Sequence, residues 1–95
     1  MEENKYELTD ETIEWKGHIL HRIKALKDFR CNGFSITTGQ LGGYIEKEYN
    51  LSQEYECWVY DNAMVCDYAH VEDNARVYGN AQIYDNACVY GNAQV

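Results

Sequence analysis

Four cysteines and three histidines carry most of the reactive chemistry open to this 95-residue chain. Cys31, Cys57, Cys66 and Cys88 stand 26, 9 and 22 residues apart. None forms a Cys-x-x-Cys pair and no histidine falls at finger spacing, so no zinc module is expected and no metal ligand is assigned. Four cysteines in a secreted chain could form two disulfides; without a secretion signal the expectation is reduced thiols. His18 and His21 stand beside basic residues and read as ordinary surface groups. His70 and Cys88 are the pair to test for nucleophilic catalysis, which needs a base within about 3 Å of the thiol and a third group to orient that base. A flat sheet face offers no water-excluding pocket, so no residue is assigned a catalytic role and no cofactor is expected.

A second set suits contact better than catalysis. Trp58, Tyr60, Arg76 and Tyr78 belong to the types enriched at interaction hot spots. Sixteen Asp and Glu against eight Lys and Arg leave a net charge of -8. That sign opposes direct binding to nucleic acid by counterion release. Residues 1–47 hold eight acids and seven bases, whereas residues 48–95 hold eight acids and one base, Arg76. Arg22, Lys24, Lys27 and Arg30 make a mildly basic shoulder on an otherwise acidic molecule. The acids either keep a β-rich surface soluble or imitate a phosphate ladder in a partner's basic groove, and both readings stay open.

The elements that must position these side chains follow from a repeat of six. From Tyr55 the blocks read YECWVY, DNAMVC, DYAHVE, DNARVY, GNAQIY, DNACVY and GNAQV. The fifth place is always aliphatic (Val59, Val65, Val71, Val77, Ile83, Val89, Val95) and the third always small (Cys57, Ala63, Ala69, Ala75, Ala81, Ala87, Ala93). Strand side chains alternate with period two, so both places face one interior and the Asp/Gly-Asn pair turns the corner. On an α-helix the same valines would scatter around the axis.

The first part of the chain differs in kind. Thr12–Trp15, a Lys16-Gly17 turn and His18–Leu26 read as a β-hairpin. A helix over residues 18–28 is the alternative, because Ile19, Leu20, Ile23, Ala25 and Leu26 also suit a 3.6-residue period. Leu41–Ile45 reads as a strand that starts or covers the first coil. The expected organisation is one structural domain: a β-rich cap over residues 1–50 and a rod of repeats over 51–95.

The repeats resemble the hexapeptide-repeat left-handed β-helix family. That resemblance implies an all-β fold, a short left-handed parallel β-helix with three hexads per coil, so that residues 18 apart stack about 4.8 Å from each other. Trp58 then lies beside Arg76, Tyr60 beside Tyr78, Asp67 beside Asp85 and His70 beside Cys88. The fourth and sixth places point outward, so Trp58, Tyr60, Tyr78, Tyr84 and Tyr90 are expected outside. Either a partner covers the Trp58–Arg76 face, or the N-terminal block folds over it as its own core. Leu41 to Glu46, Asn50-Leu51-Ser52 and the repeats also make the chain similar to small phage and prophage β-helix proteins.

The phage-like resemblance implies a phage or mobile-element origin and is silent on activity; combined with the small size and the acidic rod, it leads to the expectation of a non-catalytic interaction module that inhibits a bacterial defence nuclease, of the anti-CRISPR or anti-restriction kind. It would dock on a host protein through Trp58, Tyr60, Asp67, Arg76, Tyr78 and Asp85. A hexapeptide-repeat acyltransferase or its degenerate relative, with a His base beside an acyl-CoA groove between subunits, is the alternative; a structural phage component is another. Val95 stops inside a repeat, so two chains are expected to pair as a homodimer through Tyr90, Gln94 and Val95. Residues 1–7 lack the basic-then-apolar order of a leader and no apolar run approaches the ~18 residues of a membrane span, so the expected location is cytoplasmic.

Overall fold

A computed structural model describes residues 4–31, 34–54, 56–91 and 95. Five strands come first: β1 (Tyr6–Trp15), β2 (His18–Ala25), β3 (Phe29–Cys31), β4 (Phe34–Ile36) and β5 (Leu41–Ile45). A 3-10 turn at Glu48–Asn50 leads into two-residue strands β6 (Trp58–Val59), β7 (Met64–Val65), β8 (His70–Val71), β9 (Arg76–Val77), β10 (Gln82–Ile83) and β11 (Cys88–Val89). Each short strand is the fourth and fifth places of one hexad, with the small third-place residue just before it.

The coil length follows from the pairing. β6 runs parallel to β9 with Trp58 opposite Arg76, β7 to β10 with Met64 opposite Gln82, and β8 to β11 with His70 opposite Cys88. Every one of these partners is three hexads on, so three faces make one turn of a β-solenoid. Val59, Val65, Val71 and Val77 are wholly buried, as are Ala63, Ala69 and Ala75 between them. Each buried valine contributes roughly 1.5–3 kcal/mol relative to an exposed one.

The corners are turned by the first place of the hexad, not by its asparagine. Asp61, Asp67, Asp73 and Asp85 have φ of 56, 58, 60 and 59°, and Gly79 and Gly91 have 65°. Aspartate tolerates this left-handed geometry because its short side chain bonds backbone, and here the bond reaches the next coil. Asp61 Oδ2 accepts the Gly79 N–H at 3.1 Å, Asp67 Oδ2 that of Asp85 at 3.2 Å, and Asp73 Oδ2 that of Gly91 at 3.0 Å.

One wall continues into the N-terminal block. β5 lies parallel to β7, with Tyr44 opposite Met64 and Ile45 opposite Val65, and the sheet order is β1-β2-β5-β7-β10. β2 pairs antiparallel with both β1 and β5, so residues 18–25 form a strand and no helix. The helical spacing arose because β2 is covered on both faces. Ile23 and Ala25 join the solenoid core, while Leu20 packs with Tyr44 and Cys66 on the other side.

β5 can approach the rod only because of two glycines. A Cβ on Gly42 would lie 2.5 Å from the Val59 carbonyl oxygen, and one on Gly43 2.5 Å from the Ala63 oxygen and 2.6 Å from Val59 Cγ1. The start of β1 is pinned as well. Lys5 is buried with its Nζ donating to the Cys57 carbonyl at 2.7 Å and to Cys57 Sγ at 3.3 Å, and burial lowers its pKa. The Tyr6 hydroxyl donates to the Leu51 carbonyl. All four cysteines are free thiols. Among the described residues no helix is long and apolar enough to cross a membrane.

Candidate functional site

The Trp58–Arg76 face is covered by the chain's own N-terminal block. Trp58 is fully buried, with the Phe29 ring edge-on at 5.3 Å and the Tyr6 ring at 6.3 Å. Of the two coverings open to this face, the internal one holds for Trp58, which is therefore withdrawn from any partner-binding surface. The hexad phase places Trp58 outside; instead it is fully buried in one core cluster with Tyr6 and the valines, because β1 and the β3–β4 hairpin close over this face. The Arg76 guanidinium carbon lies 4.3 Å from the centre of the Phe34 ring, 4.8 Å from Tyr78 and 5.9 Å from Tyr60. Such stacking desolvates the cation against π faces. Tyr60 is half-buried, whereas Tyr78 and Tyr90 are exposed at 41% and 63%.

The acids divide too. Asp85 is exposed, but Asp67 is committed on both oxygens: Oδ1 to His18 Nε2 at 2.9 Å and Oδ2 to the Asp85 N–H. The stacked pair is thus joined by a hydrogen bond, and Asp67 is spent within the fold. Val95 is partly exposed and its N–H and carbonyl pair with Arg76 and Tyr78 of the coil below; Gln94 lies outside the described residues.

His70 and Cys88 are neighbours across β8 and β11, yet among the described residues no hydrogen bond joins them. The imidazole turns toward the 3-10 segment instead. Its Nδ1 is bonded to the Tyr49 carbonyl, its ring lies 4.8 Å from the Tyr49 ring, and Nε2 stands 3.9 Å from Glu72 Oε1. A donating Nδ1 fixes the tautomer and leaves Nε2 as proton acceptor. Among the described residues no pocket opens beside it.

The most connected polar node was not legible as such. His18, at the start of β2, places Nδ1 3.0 Å from Glu46 Oε2 and Nε2 2.9 Å from Asp67 Oδ1. With a carboxylate on each nitrogen the ring donates twice, and the bond to Glu46, helped by Asp67, raises its pKa. Partial burial pushes the Glu46 carboxyl up, but the His18 bond and the Asp67 N–H at 2.8 Å prevail and hold it below its ordinary value. Asn50 is buried beneath, its Oδ1 accepting the Glu46 and Lys47 N–H groups and its Nδ2 donating to the Ala69 carbonyl at 2.8 Å. The Cys66 thiol is buried next to this node, where burial and the nearby carboxylates push its pKa up to about 11. The ligand atoms of His18, Cys66 and Asp67 lie within 4.8 Å of one another. His18 and Asp67 are 49 residues apart on unrelated elements, so spacing gave no signal.

A parallel, three-faced stack of hexads defines a β-solenoid repeat protein. Residues 81–95 match the family model described as YdcK Beta solenoid repeat. Over 46 residues, 48% of the chain, the sequence is 39% identical to a protein of Escherichia coli (strain K12) named "Uncharacterized acetyltransferase YdcK". That stretch covers 13% of the relative, so the chain spans only a small part of the length of the curated protein it matches. Neither match carries a phage or inhibitor name.

Proposed function

We propose that the chain is a left-handed β-solenoid of the acetyltransferase type, whose repeats form one wall of an acyl-CoA site with His70 as general base. The observation that carries the reading is the His70 geometry. Nδ1–H is held by the Tyr49 carbonyl, Nε2 is left to take a proton from an attacking amine or hydroxyl, and Glu72 at 3.9 Å is placed to stabilise the imidazolium that results. The acetyltransferase name of the Escherichia coli relative supports the same chemistry. A single flat face cannot exclude water, so the opposite wall comes from a second copy of the chain or from further sequence of a longer protein. Calorimetric titration with acetyl-CoA, followed by assay of transfer to amine acceptors, tests this. His70→Ala should abolish transfer while keeping acetyl-CoA binding, and Cys88→Ser should change neither. Absence of acetyl-CoA binding by the unaltered chain overturns the reading.

A second reading is favoured by the exposed tyrosines. Tyr78, Tyr84 and Tyr90 are exposed on successive sides of the last coil, with Asp85 exposed next to Tyr84, an aromatic and acidic exterior suited to a basic host protein such as a nucleic-acid-binding defence enzyme. On this reading the chain is a non-catalytic inhibitor. Asp85→Asn should then reduce the salt dependence of binding and Tyr78→Ala should speed dissociation. Binding that survives both changes removes this reading.

A further inference from the structure

We propose that His18, Cys66 and Asp67 form a site for a zinc-like divalent cation at the seam between the β1–β2 hairpin and the solenoid. The donor set is one imidazole nitrogen, one sulfur and one carboxylate oxygen, with the three ligand atoms within 4.8 Å of one another. Imidazole and thiolate together select zinc and its neighbours over calcium or magnesium, which take oxygen. His18 Nε2 already points at Asp67 Oδ1 across 2.9 Å, so a cation takes the place of the proton that bridges them. Three protein ligands leave the fourth tetrahedral position to water, on the side where His18 and Asp67 keep 28% and 26% of their side-chain surface open.

The surroundings hold these ligands in place. His18 Nδ1–H donates to Glu46 Oε2 at 3.0 Å, the carboxylate–histidine–metal arrangement that orients a metal-bound imidazole. Glu46 Oε1 accepts the Asp67 N–H, and Asp67 Oδ2 accepts the Asp85 N–H. Both carboxylates are thereby fixed before any cation arrives. Binding releases one proton from His18 Nε2 and one from the Cys66 thiol, and the resulting thiolate and the Asp67 carboxylate neutralise a divalent charge. Among the described residues no other group brings a nitrogen, a sulfur and a carboxylate donor together in this way, which is what separates this cluster from the aligned turn acids.

Cobalt(II) titration of the full chain tests the site directly. A tetrahedral site should give cobalt d–d bands together with a thiolate-to-cobalt charge-transfer band. Cys66→Ser should remove the charge-transfer band, and His18→Gln should weaken zinc binding, read by calorimetry, by tenfold or more. Glu46→Gln should keep the charge-transfer band and weaken binding about 10–100-fold, as loss of an orienting carboxylate does. Cys88→Ser should match the parent. Circular dichroism of each metal-free variant separates lost ligands from lost fold; should Cys66→Ser unfold, His18→Gln, at the surface, carries the test. No charge-transfer band at saturating cobalt, or parental zinc affinity in folded His18→Gln, overturns the proposal and leaves the cluster an ion-paired contact of the seam.

Discussion

Val77 has no exposed surface and faces a coil interior too narrow for water, so a carboxylate there has no partner. Val77→Asp should cost several kcal/mol and unfold the rod at ambient temperature, whereas Gln82→Asp, at an exposed fourth place, should leave thermal stability nearly unchanged. Equal melting temperatures would place the interior on the wrong side of the strand. Tyr60 gives a residue-level pH dependence. Burial, with the Cys31 thiol beside it, holds its hydroxyl above the ordinary value of 10.0 in the folded chain. An unfolded tyrosine ionises near pH 10 and the folded one does not, so its stabilising contribution is intact below that pH and is lost as pH rises through and beyond it. The stability of Tyr60→Phe relative to the parent should therefore increase above pH ~10, by at most about 1.4 kcal/mol per pH unit. Denaturant melts at pH 8 and above 10 measure it; a constant difference would mean that Tyr60 is solvated.

At the scale of the element, Asp61, Asp67 and Asp73 each do two things: they take a left-handed φ and they accept an N–H from the coil above. Asp73→Gly keeps the first and loses the second, at about 0.5–1.5 kcal/mol. Asp73→Ala loses both, adding roughly 1–2 kcal/mol of backbone strain, so chemical denaturation should rank parent, Gly variant, Ala variant in that order. This also shows what the sequence makes legible. Alternation of small and aliphatic residues is a local property, and it reveals the strands, the interior and the 18-residue stacking implied by the family resemblance. The division of labour within Asp-Asn was not legible, because either residue tolerates a left-handed turn and only the coil above decides which one bonds. Trp58 shows the same boundary: phase says which way a side chain leaves the coil and cannot say that Phe29 and Tyr6 wait there. The His18–Glu46–Asp67 node joins three segments with no shared periodicity, so no pattern announced it.

Across the whole molecule, the N-terminal block and the solenoid share one core, and their seam is the place where single changes reach furthest. Gly43→Ala forces a methyl against the Ala63 carbonyl and Val59, an overpacking worth about 1–3 kcal/mol or more because backbone cannot step aside. Trp58→Ala empties the space beneath Phe29 and Tyr6 at about 3–5 kcal/mol and should make the β3–β4 hairpin a site of early proteolysis while the valine core persists. If the hairpin of Trp58→Ala resists protease as the parent does, the block is held by other contacts. The glycine clearance at β5 has a further consequence, for how the chain winds. The hexads are nearly interchangeable: slide one coil by six residues and valine still meets valine, and a turn carboxylate still finds an N–H. Repeats alone therefore do not count, and a slipped winding lies close in energy to the native one. Gly42 and Gly43 of β5 fit against the rod at one place and Trp58 occurs once along it, so together they act as the zero mark of a ruler whose other divisions look alike. A chain that wound before this mark was set would stand one hexad out, and would have to unwind to correct itself.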